Sequence, residues 1–279
     1  MIDLHTHSTA SDGSLTPAQL AEAGHRAGLS LMALTDHDCA KGLPEFLARA
    51  AALGLEGIAG IELSAEVPAG QLHLVGLAFD YTAPALVSRF ERLLGGRSAR
   101  NAAILSALNA GGVPLTEGEV RAFAGDELVS RVHFAQALIA KGFARDVPDA
   151  FARFIGKDAP FYRNRFRYTP AECIKMIHAA GGLVVMAHPL SLTADWAQLD
   201  RAIAALKAQG LDGMECHYAA YTPEITVNLL RLAHRHALLA SVGSDFHGAP
   251  KPDIHLGRLP VAPETERRLR EALARGYRA

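Results

Sequence analysis

The chain has 279 residues, of which 49% are hydrophobic and 20% are charged, a composition typical of a globular enzyme. Its 28 basic and 29 acidic residues give a net charge of −1, which argues against a protein that wraps long nucleic acid. No apolar run approaches the ~20 residues of a membrane span, and no secretory signal is evident before the first strand.

Seven short apolar segments recur along the chain, and each contains or is followed by His, Asp or Glu. They span residues 2–4, 31–34, 57–61, 72–77, 183–187, 213–215 and 239–242. Stretches with helical spacing lie between most of them, at residues 17–27, 43–53, 170–180, 196–209 and 223–236. This alternation predicts βα units around a parallel sheet, in a barrel-like α/β fold whose site lies at the strands' carboxyl ends.

The stretch from residue 84 to 160 departs from this alternation because its pattern is helical throughout. Its predicted helices span residues 85–94, 99–110, 117–124, 131–141 and 147–154. The sequence therefore predicts a barrel domain formed by residues 1–83 and 161–279, and a helical insertion of residues 84–160 that covers the carboxyl-terminal mouth of the barrel.

The three cysteines, Cys39, Cys173 and Cys216, are widely separated and form no CxxC pair. A reduced set of this kind fits the cytoplasm, where we expect the protein to act. Packing is the expected role of Cys39 and Cys216, which lie near predicted strand ends.

His5 and His7 stand at the end of the first predicted strand. Residues two apart in a strand point to the same face, so both imidazoles can bind one ion. Other candidate ligands lie near further predicted strands: Asp12, Asp36, His37, Glu62, His73, His188, Asp245 and His247. Burying so many titratable groups is costly unless metal ions compensate them. Imidazole and carboxylate without thiolate favour Mn, Fe or Zn.

The ordered motifs HxH, TDHD, a strand ending in Glu, a strand His, AHP and GSDFH resemble the PHP (polymerase and histidinol phosphatase) family. The resemblance runs from His5 to His247 and implies a distorted (β/α)7 barrel that hydrolyses phosphoesters with two or three divalent ions. We expect Mn²⁺, with Fe²⁺ or Zn²⁺ as alternatives. The implied ligand sets are His5, His7, Glu62 and Asp245 for one ion, Glu62, His73 and His188 for a second, and Asp12, His37 and His247 for a third.

Many family members have His at the position of Asp12, so the third ion is the open part of this assignment. Ions of the implied kind lower the pKa of a bridging water and supply the hydroxide that attacks phosphorus. Asp245 is then the candidate acceptor of the water's proton, and His37 or His247 would assist the leaving oxygen. Asp36 and Asp38 are expected to orient histidine ligands without binding the ions themselves.

Candidate substrate-binding residues lie mainly in and after the predicted insertion. They are Ser130, Arg131, His133, Lys157, Arg163, Arg165 and His217. Arginine suits bidentate phosphate contacts, and interleaved aromatic residues can stack on a base. A solvated basic edge over buried aromatic residues is the alternative interpretation of the run from 161 to 168.

The early HxHSxxSDG motif and the insertion look like the stand-alone bacterial branch of the family. This implies removal of the 3′-phosphate from 3′,5′-bisphosphonucleotides such as pAp. Alternatives are a 5′→3′ exonuclease on short RNA, a histidinol-phosphate phosphatase, which the basic insertion disfavours, and a non-catalytic metal-binding domain, which the near-complete ligand set disfavours. We expect a small nucleotide or short oligonucleotide as partner, without long duplexes or membranes. The oligomeric state is left open.

Overall fold

The computed structural model describes residues 1–124 and 128–276. Within them, seven strands form one sheet in which each strand pairs with its neighbours in chain order. They are β1 (Ile2–Asp3), β2 (Leu31–Leu34), β3 (Glu56–Ala65), β4 (Leu72–Leu77), β5 (Leu183–Met186), β6 (Gly213–Tyr218) and β7 (Leu239–Gly243). Every predicted strand is present, and β3 and β6 extend further than expected.

The sheet is not parallel throughout, so that part of the prediction was wrong. β4 runs antiparallel to β3 and β5, while the other neighbouring pairs are parallel. Residues 66–71 between β3 and β4 are too few for a crossover helix, so the chain turns directly back. The reversal places His73, near the start of β4, at the same edge as the carboxyl ends of the parallel strands.

The segment after β7 returns to β1. The Leu4 N–H donates to the Val242 carbonyl at 3.0 Å, and Thr6 forms a parallel bridge with Phe246. The seven strands therefore form a nearly closed barrel, which confirms the predicted α/β barrel.

The helices are α1 (Pro17–Arg26), α2 (Leu43–Ala52), α3 (Pro84–Ala110), α4 (Glu117–Ala124), α5 (Arg131–Ala140), α6 (Val147–Ala150), α7 (Pro170–Ala179), α8 (Trp196–Ala208), α9 (Pro223–Arg235) and α10 (Pro263–Arg275). Threonine side chains cap α1, α7 and α9 ahead of a proline, as the Thr-Pro pairs predicted. Helix α10 was not predicted; its Leu269 and Leu273 belong to the same apolar cluster as Ile2 and Leu31 of the barrel.

The chain divides into two compact units, residues 1–90 with 168–279 and residues 91–167. The second, which we call the helical unit, has an apolar core that includes Ile104, Leu108, Phe134 and Ile155. The predicted covering of the barrel mouth by the insertion stays a prediction.

The two helices predicted at 85–94 and 99–110 are one continuous helix, α3. Gly95 and Gly96 do not end it, because a glycine in a helix interior costs only about 1 kcal/mol. Gly96 also makes room for a neighbour, since a Cβ placed there would lie 3.0 Å from the Cβ of Phe166.

All three cysteines are buried with free thiols. No helix in the described ranges is long and apolar enough to cross a membrane.

Candidate metal centre

The structure brings all nine predicted metal ligands together at one edge of the barrel. His5 and His7 follow β1, His37 follows β2, and Glu62 lies within β3. Their potential ligand atoms form four overlapping groups in which the atoms lie within 4.8 Å of one another. These groups are His7–Asp12–His37–His247, His5–His7–Asp245, His5–Glu62–His188 and His37–Glu62–His73.

Glu62 lies at the centre of this cluster and is fully buried. Its Oε1 is 2.8 Å from His73 Nδ1 and 3.0 Å from His188 Nε2. Its Oε2 is 2.8 Å from His37 Nδ1 and 3.4 Å from the Nε2 atoms of both His5 and His7. Burial alone would raise the pKa of Glu62, but the surrounding histidines, with His37 contributing most, hold that pKa well below its usual range.

The donor set fits divalent ions. Glu62 Oε2 is buried and accepts no well-aligned hydrogen bond from the described residues, although imidazole nitrogens surround it. His5 Nε2 and His7 Nε2 face each other at 3.1 Å, a contact in which only one nitrogen can act as donor when both rings are neutral. Nitrogen and carboxylate lone pairs that converge in this way are the arrangement expected around Mn, Fe or Zn.

Asp245 turns its two oxygens to different partners. Its Oδ1 lies 3.3 Å from His7 Nε2 and 3.7 Å from His5 Nε2. Its Oδ2 accepts hydrogen bonds from the Tyr218 hydroxyl at 2.8 Å and from Lys251 Nζ at 2.5 Å. Burial would raise the pKa of Asp245, but His5 and His7 hold it well below its usual range. Such a carboxylate suits a metal ligand, while its role as proton acceptor stays a prediction.

Asp12 occupies the place expected of a third-ion ligand. Its oxygens lie 3.4 Å from His247 Nε2 and 3.7 Å from both His37 Nε2 and His7 Nδ1. Burial would raise the pKa of Asp12, but the histidines, His37 first, lower it. The carboxylate is thus ionised and within reach of three imidazoles, while its role as a ligand of a third ion stays a prediction.

Glu215, the carboxylate that orients His5, was not among the predicted site residues. Glu215 Oε1 lies 3.1 Å from His5 Nδ1, and its Oε2 accepts the backbone N–H of His188 at 2.6 Å. A Cβ at Gly243 would lie 2.2 Å from Glu215 Oε1, so the glycine of the GSDFH motif leaves room for this carboxylate. The available signal was a charged residue inside the apolar segment Gly213–Tyr218.

Asp36, which was expected to orient a histidine, forms no direct hydrogen bond with one among the described residues. Asp36 instead accepts hydrogen bonds from the Ser8 N–H at 2.8 Å and from the Ser8 and Ser11 hydroxyls at 2.6 and 2.5 Å. Ser11 Oγ lies 3.4 Å from His7 Nδ1, so Asp36 reaches that ring through a serine. Asp38 accepts the Ser64 N–H at 3.1 Å.

A cavity of about 420 Å³ adjoins the metal ligands, and its lining includes Tyr218, Tyr221 and Lys251. The pairing of β6 with β7 shifts register between Glu215 and His217. Such a bulge re-aims the side chains that follow it, so Tyr218 contacts Asp245 while His217 is not among the described residues that line the cavity. Neither tyrosine was predicted, and Lys251 had no assigned role.

The other substrate-binding candidates lie in the helical unit. His133 Nδ1 accepts the Ser130 N–H at 3.1 Å, so this histidine helps to form the start of α5. Arg163 is exposed and donates to the carbonyls of Pro160 and Tyr162. Lys157 is exposed, and Arg165 is half-buried. Their contacts with substrate stay predictions.

Replacing Glu215 by Gln is expected to lower metal affinity or kcat about 10- to 100-fold, the usual effect of losing a residue that orients a metal ligand. An amide can accept from only one of the two donors now bound, the His5 ring and the His188 N–H. Metal titration followed by steady-state kinetics would measure the loss. Unchanged affinity and kcat would show that Glu215 has no orienting role.

The comparisons with known proteins agree with this geometry. The PHP domain family model matches residues 3–249. A 5′-3′ exoribonuclease from Haemophilus influenzae is 36% identical over 92% of this chain and 93% of its own length. A 3′,5′-nucleoside bisphosphate phosphatase from Chromobacterium violaceum is 34% identical over 88% of this chain and 87% of its own length.

Solved structures agree as well. An amidohydrolase from Chromobacterium violaceum, with bound sulfate and no metal, superimposes with a TM-score of 0.85 at 32% identity, covering 97% of this chain and 96% of the other. A protein from Bifidobacterium adolescentis, assigned as a metal-dependent phosphoesterase, gives a TM-score of 0.83 at 31% identity, covering 99% and 96%. The chain therefore belongs to the PHP domain family, as its motifs predicted, and is an enzyme of the metal-dependent phosphoesterase class.

Proposed function

We propose that this enzyme removes the 3′-phosphate of 3′,5′-bisphosphonucleotides such as pAp, giving a nucleoside 5′-monophosphate and phosphate. The observation that carries the proposal is the Glu62-centred cluster of histidines and carboxylates beside a cavity of about 420 Å³. That volume suits a small molecule. The Chromobacterium violaceum phosphatase, named for this reaction, supports the choice of substrate, as does the sulfate bound by the related structure, since sulfate resembles phosphate.

When bound at these ligands, divalent ions would polarise the phosphoryl group and lower the pKa of water. The chain's own residues then bind and orient. Glu215 fixes the His5 ring, and Tyr218 and Lys251 hold Asp245 in place through hydrogen bonds to its Oδ2. Lys251 also places an amine on the cavity wall, where it can contact a phosphate. We propose that His37 or His247 assists the leaving oxygen. Mn²⁺ as the ion and the cytoplasm as the location remain our proposals.

A 5′→3′ exonuclease acting on short RNA is the second candidate, favoured by the similarity to the Haemophilus influenzae exoribonuclease. The same centre would serve both reactions, because water activated by metal ions can attack a phosphodiester as well as a phosphomonoester. The two candidates differ in the group that leaves, not in the ligands.

A panel of substrates tests the proposal. With Mn²⁺ supplied, we expect kcat/KM on pAp to exceed that on AMP, histidinol phosphate and a 5′-phosphorylated RNA by at least about tenfold, or about 1.4 kcal/mol of transition-state binding. Phosphate or nucleotide release would be measured. A preference for the RNA would make the protein an exonuclease, and a preference for histidinol phosphate would refute the nucleotide assignment while leaving the metal centre intact.

A further inference from the structure

The turn that follows β5 begins at His188, one of the ligands expected for the second ion, and the mechanism above uses no other residue of this turn. Residues Pro189–Ser191 form a single 3₁₀ turn. The backbone of His188 has a φ of +24°, which is uncommon for a residue other than glycine and persists only where the surroundings hold it. The contacts that hold this turn therefore also decide where the His188 ring lies.

Ser191 forms two side-chain hydrogen bonds, and the first determines the direction of the second. Its hydroxyl lies 3.1 Å from the Gln71 carbonyl oxygen, and a carbonyl can only accept, so the single hydroxyl proton points there. The same hydroxyl oxygen lies 2.8 Å from His188 Nδ1. Because the hydroxyl proton is already donated to Gln71, the oxygen can only accept in this second contact. His188 Nδ1 therefore carries a proton and donates it to Ser191.

A proton at Nδ1 leaves the other nitrogen of the His188 ring to bind an ion. His188 Nε2 lies 3.0 Å from Glu62 Oε1, within the group of ligand atoms formed by His5, Glu62 and His188. A neutral imidazole with its proton on one nitrogen keeps a lone pair on the other, and that lone pair binds the metal. In metal sites, an acceptor for the N–H fixes both the tautomer and the ring orientation. Ser191 occupies the position of that acceptor.

Backbone contacts join the same turn to the connection between β3 and β4. The Gln71 N–H donates to the Ser191 carbonyl at 3.0 Å, so two hydrogen bonds link these two residues. Gly70 permits the close approach, because its φ is +70° and a Cβ placed there would lie 2.0 Å from the Leu192 carbonyl oxygen. His73 follows Gln71 by two residues. The turn after β5 is thus tied to the segment that leads into a second histidine of the metal centre.

We propose that Ser191 is a positioning residue of the metal centre, which holds His188 Nε2 toward the second ion and joins it to the segment that carries His73. Both histidines face the same oxygen, Glu62 Oε1, with His73 Nδ1 at 2.8 Å and His188 Nε2 at 3.0 Å. This role depends on the metal centre of the proposed function but not on which phosphate ester is hydrolysed. Ser191 is exposed, so its loss should weaken the binding of one ion without unfolding the site.

Replacing Ser191 by Ala tests the role, because this change removes only the hydroxyl. When Mn²⁺ is titrated into the metal-free protein by calorimetry, we expect one ion to bind about tenfold more weakly than in the wild type, while the other ions keep their affinity. Ser191→Thr retains the hydroxyl and should restore wild-type binding. Thr193→Ala is the matched control on the same segment, since the Thr193 hydroxyl contacts Asp195 and Gln198 but no metal ligand in the described part of the chain.

Turnover of pAp at varied Mn²⁺ concentration separates positioning from a loss of stability. Ser191→Ala should need about tenfold more Mn²⁺ for half-maximal kcat and should approach the wild-type kcat at saturation, while the melting temperature of the metal-free protein stays unchanged. If pAp is not hydrolysed, the proposed function fails, but the Mn²⁺ titration still decides the role of Ser191. Wild-type affinity in Ser191→Ala, an equal loss in Ser191→Thr, or fewer than two Mn²⁺ ions bound by the wild-type protein would refute that role.

Discussion

Replacing Glu62 by Gln is expected to lower kcat by about a thousand-fold, or about 4 kcal/mol of transition-state stabilisation, and to remove most of the bound metal. Both Glu62 oxygens face imidazoles, with His37 and His73 at 2.8 Å. An amide supplies one oxygen and one NH₂ group, so it would offer one ligand atom where the carboxylate offers two. Elemental analysis of the purified protein and steady-state kinetics with added Mn²⁺ would measure both effects.

Glu56→Gln is the matched control, because Glu56 begins the same strand but is exposed and pairs with Arg270. Losing that surface pair should cost no more than about 1 kcal/mol of stability and leave kcat unchanged. A Glu62→Gln enzyme with full metal content and wild-type turnover would contradict the central position assigned to this carboxylate.

Asp245→Asn is expected to lower kcat by about a hundred-fold or more and to weaken metal binding at His5 and His7. Asp245 Oδ2 accepts from both Tyr218 and Lys251. An asparagine that keeps its oxygen on these two donors presents its NH₂ group to His5 and His7 in place of Oδ1, and this group offers no ligand atom to a metal ion. Metal titration and single-turnover kinetics would measure the change.

The same variant separates the two roles considered for Asp245. A full metal complement with lost turnover would assign it as the acceptor of the water's proton, whereas loss of both would assign it as a ligand. Unchanged turnover would exclude both roles. Asp253→Asn, an exposed position on the following segment, controls for the chemical change itself.

The position of His73 illustrates how far strand prediction reached. Its segment was recognised as a strand with a ligand, but the direction of β4 was not, because the pattern of apolar residues is the same read either way. Direction depends on the six-residue connection from β3, which is too short for a crossover. The sequence pattern thus identified His73 as a ligand candidate. The short connection sets the direction of β4 and so places the start of this strand, with His73, at the site.

Which residue of β6 points into the site, Tyr218 or His217, could not be predicted from the sequence. His217 was a candidate because it follows the predicted strand 213–215, and regular alternation would place it on the same face as Glu215. The register shift in β6 moves the inward position to Tyr218, and no local pattern signalled it. A bulge depends on pairing with the neighbouring strand. That strand is distant in the sequence, so the local sequence of β6 does not reveal the bulge.

The sequence by itself determined the family, the seven strands and the nine metal-ligand candidates. It could do so because short motifs with His, Asp or Glu lie at successive predicted strands, in the order that is typical of the family. Only the tertiary structure decided which groups support them. Glu215, which contacts His5, and Tyr218, which contacts Asp245, come from segments far from those ligands in the sequence. Contacts of that kind depend on how whole elements pack, so their energetic consequences are set by the fold rather than by local residue order.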